Sequence, residues 1–259
     1  MIDWLLAAYA FIIGACIGSF LNVCIYRWPA ELSVLKPRSR CGACGEPIRW
    51  YDNIPILSWI LLRRRCRACG ASISIQYPLV ELATGVIWLI AVLRFGLDVE
   101  ALRSAIFLTL LLGIAMTDAR EMVIPDQFSL GGTAIGLALA AVPGGMPFIR
   151  AFIGALVGYG LFWAVKLGAE KAFKKPALGV GDIHMMAMVG AFLGTAGAML
   201  TMMLGSMAGL AIGVPLTKIR GQLAVLGTYL PLGTFLAIGA FIAHIWGGAI
   251  IDWYIGMLG

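Results

Sequence analysis

The chain has 259 residues, of which 61% are hydrophobic and 12% charged, and its mean hydropathy is +0.94. Soluble domains run about 45–50% apolar, so the composition excludes an ordinary soluble globular protein and marks an integral membrane one. The net charge of +6 is local: residues 26–76 hold nine Lys/Arg and three Asp/Glu, and the rest nets zero, which reports the orientation of a loop between spans and argues against nucleic-acid binding.

A span needs about 20 apolar residues. The chain opens Met1-Ile2-Asp3, with no positive stretch before the first apolar run, so that run reads as an uncleaved span and not a signal peptide. This first transmembrane helix occupies residues 1–26, apolar from Trp4 to Tyr26. A polar loop follows over 27–78. Within it, Ile54 to Leu62 is an apolar run too short to cross, which suits a re-entrant or interfacial segment or the core of a small folded unit. The membrane domain, 79–259, offers spans near Leu79–Phe95, Ala101–Thr117, Phe128–Val142, Phe148–Leu167, Ile183–Gly194, Ala196–Leu216 and Tyr229–Ile250. The sixth of the series is short, and its boundary with the seventh falls around Gly194 to Gly197. Backbone groups in lipid must bond within their own segment, so all spans are helical. The expected fold is an all-α polytopic membrane protein of about eight transmembrane helices, with a cytoplasmic zinc-binding loop between the first and second.

Placing the basic loop in the cytoplasm and alternating puts sixteen of nineteen Lys/Arg inside, against Arg94, Arg103 and Arg150 outside. That asymmetry sets the orientation. Both termini then lie outside, and Asp118 and Asp182 lie at the cytoplasmic face.

The loop carries Cys41-Gly-Ala-Cys44 and Cys66-Arg-Ala-Cys69. Two such knuckles at this spacing match a four-thiolate tetrahedral zinc site of structural type, with no position left for water. Two disulfides and a redox-active CxxC are the competing readings; a cytoplasmic, reducing location disfavours the first and the pairing of the knuckles the second. Arg40, Arg65 and Arg67 ease thiolate formation. Cys16 and Cys24, inside the first span, read as packing residues.

Two acidic stretches stand at helix ends. Gly179-Val180-Gly181-Asp182 opens the sixth span, where Asp182 is either an N-cap or a working carboxylate; the glycines let another backbone or a substrate come close. Asp118 to Asp126 closes the third span and turns through Ile124-Pro125-Asp126. Two carboxylates brought together cannot both ionise easily, so one holds a proton. That is the state of an acid–base pair that activates water and protonates a leaving amine. For Glu81, near the start of the second span, two readings stay open: a bond to a partner or substrate amine, or snorkelling to a loop arginine.

The ordered motifs are those of a known family. Gly18 to Pro29, the paired knuckles with Asn53 to Trp59 between them, Ile73-Ser74, Tyr77 to Leu82, the Asp118 stretch, Gly179 to Asp182 and Leu230 to Ala237 together resemble the prepilin leader peptidase/N-methyltransferases of type IV pilus and type II secretion systems. The resemblance covers nearly the whole chain. It implies an aspartic protease of the GxGD type with Asp118 and Asp182 as catalytic pair, in the bacterial inner membrane, with the active site near the cytoplasmic face. The implied substrates are prepilin or pseudopilin precursors, whose basic leader is cut after a glycine. It also implies methylation of the new N-terminus with S-adenosylmethionine, which no residue here shows independently. Membrane lipids are the other expected partner. The chain departs from the family at His184, where a Lys is common, and at Arg63-Arg64-Arg65 before the second knuckle. His184 at that position would tune the dyad electrostatically and make activity sensitive to pH. The alternatives are a leader peptidase without methylation, which the zinc-bearing loop disfavours, and an ion-coupled transporter. A transporter would place its acids near the midplane, often with repeats.

Overall fold

The computed structural model describes residues 4–174, 178–213, 215 and 231–258. Among them every regular element is helical, apart from two isolated bridges in the loop. The helices are α1 Trp4–Arg27, α2 Leu57–Leu61, α3 Gln76–Phe95, α4 Val99–Glu121, α5 Asp126–Ala140, α6 Phe148–Phe173, α7 Val180–Ala208 and α8 Leu232–Leu258. A short 3-10 turn, Trp50–Asn53, precedes α2, and a π-helical turn, Gly209–Gly213, follows α7.

Six helices, namely α1, α3, α4, α6, α7 and α8, are long and apolar enough to cross a membrane, so the protein is a multi-pass membrane protein. The element expected over Phe128–Val142 forms as α5, whose 15 residues rise about 22 Å, against a hydrocarbon core of about 30 Å. The two spans expected on either side of Gly194–Gly197 have no loop between them. They form one helical run, bent at Gly194, whose φ of 71° and ψ of −175° interrupt it. A side chain there would be strained, so glycine makes the bend. The sequence signals for a loop were weak because one residue does the work of a linker. Lys175, Lys218, Arg220 and Tyr229, used in the orientation and span assignments, lie outside the described residues.

Two compact units divide inside α4, Met1–Thr109 and Leu110–Gly259. In the first, α1 packs along α3. Gly14 and Gly18, one turn apart, bring the backbones together: a Cβ on Gly18 would lie 2.8 Å from Glu81 Cα, and one on Gly14 2.8 Å from Thr84 O. This is the small-residue packing that lipid-embedded helices use in place of a hydrophobic drive. Asn22, 1% exposed, adds a polar tie, donating through Nδ2 to Gly18 O at 3.3 Å and Tyr77 O at 3.1 Å.

In the second unit, α5, α6 and α8 all pack on α7. Met185, Met186, Met188, Val189 and Ala191 of α7 are 0% exposed, so the half of this helix before Gly194 is enclosed by protein, while Met199, Met203 and Met207 in the half after it are exposed. Its closest neighbour is α6, where Gly154 and Gly190 face each other: a Cβ on either would collide with the other's carbonyl oxygen. On another side, a Cβ on Gly239 of α8 would lie 2.6 Å from Gly205 N.

Candidate active site and metal centre

The loop knuckles are built alike. In each, the first cysteine's carbonyl accepts from the glycine four residues on, Gly45 to Cys41 and Gly70 to Cys66, both at 2.9 Å. Each first cysteine's amide donates five residues ahead, Cys41 to Glu46 O at 2.9 Å and Cys66 to Ala71 O at 2.8 Å. Gly45 and Gly70 hold φ of 73° and 71°, which closes each turn at little cost only because they are glycine. An isolated bridge pinches each base, Arg40 with Pro47 and Arg65 with Ser72.

The four Sγ atoms lie within 4.8 Å of one another, and none is in a disulfide. Cys41 and Cys69 Sγ stand 3.8 Å apart. Zn–S bonds of about 2.3 Å in a tetrahedron put sulfurs about 3.8 Å apart, so the cluster fits a four-thiolate ion. Backbone N–H groups of Cys44 and Ala43 bring the Cys41 thiol down to about 6, toward the thiolate a metal needs. Arg67 forms a fork on Asp52, Nε to Oδ2 at 2.8 Å and Nη2 to Oδ1 at 2.6 Å, which holds that carboxyl below its usual range. The pair joins the second knuckle to the turn that leads into α2.

The acids come together in the second unit. Asp118, 5% exposed, is in the last turn of α4, and Asp182 is in the first turn of α7; the two carboxylates interact electrostatically. Each motif glycine has a separate reason. A Cβ on Gly179 would lie 3.0 Å from Asp182 Oδ2, because that carboxylate folds back over it and accepts from the Gly179 backbone. A Cβ on Gly181 would lie 2.9 Å from Ile124 Cβ. The chain reverses after α4 at Met122, φ 53°, whose amide bonds Asp118 O at 2.9 Å, and this delivers Ile124 to the acids. Ile124 also faces Gly233 of α8: a Cβ there would meet Ile124 Cδ1 at 2.6 Å and Asp118 Cγ at 3.1 Å.

Thr234, next to Gly233, bonds Asp118 Oδ2 twice, through its backbone N–H at 2.6 Å and its Oγ1 at 2.9 Å. Sequence reasoning gave Thr234 no role of its own and read Ile124 only as part of a turn. Thr234 lies in the Leu230 to Ala237 stretch, and its one signal is a hydroxyl at the start of an apolar helix. That pattern reads first as a cap for its own helix, and here it serves another.

His184 does not bond the dyad. Its Nδ1 lies 2.8 Å from Asp126 Oδ1, and Tyr159 stacks on its ring at 6.3 Å between centroids. The departure from Lys thus ties the segment after α4 to the start of α7. Glu81 has a partner within the protein, as the first of its two readings allows, and not a loop arginine: its Oε2 accepts the Ile56 amide at 2.7 Å, and Ser19 also bonds the carboxylate.

The bacterial peptidase A24 N-terminal domain matches residues 12–95, and the type IV leader peptidase family matches residues 105–214. A prepilin leader peptidase/N-methyltransferase of Pseudomonas putida is 34% identical over 272 residues, covering 96% of this chain and 94% of its own length. One from Myxococcus xanthus (strain DK1622) is 40% identical over 218 residues, covering 84% of this chain; the chain spans 65% of that protein. One from Neisseria gonorrhoeae is 31% identical, covering 85% of this chain and 86% of itself. No solved structure matches.

Proposed function

The chain belongs to the type IV leader peptidase family of membrane enzymes, and from that premise we propose that it is an intramembrane aspartic endopeptidase that removes the basic leader of type IV prepilins or pseudopilins, after a glycine and on the cytoplasmic side of the inner membrane, and that it N-methylates the residue so exposed with S-adenosylmethionine. The observation that carries the cleavage is the interacting pair of buried Asp118 and half-buried Asp182, with an apolar side chain, Ile124, against it. One carboxylate takes a proton from a water while the other gives its proton to the scissile carbonyl oxygen. The resulting tetrahedral diol collapses as the leaving amine is protonated, and the pair returns to one shared proton. Thr234 keeps Asp118 Oδ2 oriented for this exchange.

The methylation rests on the relatives, which are named peptidase/N-methyltransferases. The all-helical architecture has no strand-to-helix glycine turn among the described residues, so the methyl donor has no site of the soluble dinucleotide-fold kind there. Zinc held by Cys41, Cys44, Cys66 and Cys69 supplies structure to the loop and no chemistry, since four thiolates fill its shell. We read the topology as eight crossings, with α7 counted twice across Gly194 and the short α5 once. Acids at helix ends disfavour the transporter reading.

The test is to incubate purified enzyme with a pilin precursor and S-adenosylmethionine and weigh the product. The expected mass is that of the mature protein plus one methyl group. The unchanged precursor overturns the whole proposal, and mature protein without the methyl overturns its second half. The strap between His184 and Asp126 sets a second expectation. His184→Ala and Asp126→Ala each lower cleavage by about two- to tenfold, the range for one hydrogen bond at a partly exposed site. The double variant is no worse than either single one. Additive losses would show that the two residues act separately.

A further inference from the structure

Glu81 records how deep the loop reaches. It comes five residues after Gln76, where α3 begins, or about 7.5 Å along the helix axis. Ser19, the other side chain on that carboxylate, lies eight residues before Arg27, where α1 ends, or about 12 Å down its axis. The amide of Ile56 sits on Glu81 at 2.7 Å. The loop therefore turns back beside both spans, below their ends, and does not stand away from them.

At that level α3 shows lipid-facing Leu79, 55% exposed, and Leu82, 44% exposed. Directly after Ile56, α2 presents Leu57, Ile60 and Leu61, exposed by 48%, 58% and 71%, and buries only Ser58. In water such a surface is a liability; beside lipid-facing helix it continues the same apolar surface. The chain then reverses on two left-handed residues, Arg63 at φ 49° and Arg64 at φ 65°. Arg64 N–H bonds Trp59 O at 3.0 Å. This sets Arg63, Arg64 and Arg65, all exposed, at the end of the apolar helix. Arg67 is already occupied by Asp52 and Arg49 by the Tyr51 hydroxyl. Among the described residues no carboxylate pairs with Arg63, Arg64 or Arg65; the Arg64 guanidinium lies 5.9 Å over the Trp59 ring.

We propose that α2 lies in the boundary between headgroups and acyl chains of the membrane that holds α1 and α3, and that Arg63, Arg64 and Arg65 form a site for the phosphate of anionic phospholipids. Apolar residues that insert beside guanidinium groups that stay at the phosphate level make an interfacial anchor with a preference for negative lipid. This does not depend on the chemistry of the two acids.

The test uses the full chain in nanodiscs of phosphatidylcholine alone or mixed with phosphatidylglycerol. Native mass spectrometry counts retained phosphatidylglycerol, and hydrogen exchange follows residues 54–65. The wild type is expected to retain phosphatidylglycerol and to protect that segment more in the anionic discs. The R63Q/R64Q variant is expected to lose about tenfold in retention, with the metal and precursor cleavage in detergent intact. The K36Q/R38Q variant removes the same charge from the same loop away from α2 and is expected to retain the lipid. Equal retention by wild type and R63Q/R64Q overturns the proposal. An equal loss in both double variants overturns it too, since net charge alone would then explain the binding. Loss of metal in R63Q/R64Q is met by repeating the comparison with R63K/R64K, which keeps the charge and is expected to keep the lipid.

Discussion

Asp118→Asn and Asp182→Asn each abolish cleavage of a pilin precursor, by about a thousandfold or more, while the protein still inserts and folds. General acid–base transfer alone contributes about 10²- to 10⁴-fold, and the proposed mechanism asks both roles of this one pair. An amide is nearly isosteric with a carboxyl group. The Asp118→Asn variant therefore keeps an oxygen to accept from Thr234 N–H and Oγ1, and in the Asp182→Asn variant the side chain still folds over Gly179. The loss is of proton transfer and not of structure. Cleavage of the precursor in detergent, followed by product mass and set beside the thermal midpoint of each variant, separates the two. Near-normal processing by either variant would refute the dyad. Asp126 would then be the next candidate, although its pairing with His184 makes it a poor substitute.

The second large effect is on the loop. Purified protein is expected to carry one zinc per chain, and the Cys41→Ser/Cys44→Ser variant none. Metal affinity in small four-ligand sites is folding free energy, about 10–16 kcal/mol in isolated zinc fingers, so half the ligands cannot hold the fold. Residues 45–65 run from one knuckle to the other, and they include α2 and the Ile56 amide that satisfies Glu81. Loss of metal frees both ends of that stretch and leaves a membrane-embedded carboxylate short of a donor. Elemental analysis and thiol alkylation check this: four loop thiols protected in the native protein, and the two that remain in the variant, Cys66 and Cys69, both reactive. Metal-free native protein whose thiols all alkylate freely would refute the site.

The knuckles were legible because metal ligation needs fixed residue types at fixed spacing. The acids were legible because a charge at a membrane helix end is conspicuous. Thr234 and Ile124 were not, for different reasons. Thr234 acts across 116 residues of chain, and a hydroxyl at a helix start has a sufficient local use. Ile124 is apolar in an apolar protein; only the empty space on Gly181 and Gly233 gives it a place. His184 was singled out, but its bond to Asp126 was not legible, because the partner lies 58 residues away in sequence. The bend at Gly194 escaped a firm boundary because hydropathy is continuous through it.

The meeting of Gly154 and Gly190 has a mechanical consequence. Side chains between helices can change rotamer and let them shear; two backbones in direct contact have nothing to rearrange. The contact is a pin. Asp182 lies eight residues from Gly190 in α7, a lever arm of about 12 Å, so rocking by about 10° moves its carboxylate only about 2 Å. In the proposed cleavage, an extended peptide that passes between the two acids is therefore expected to displace the other jaw, the end of α4 with Asp118 and the start of α8 that clasps it.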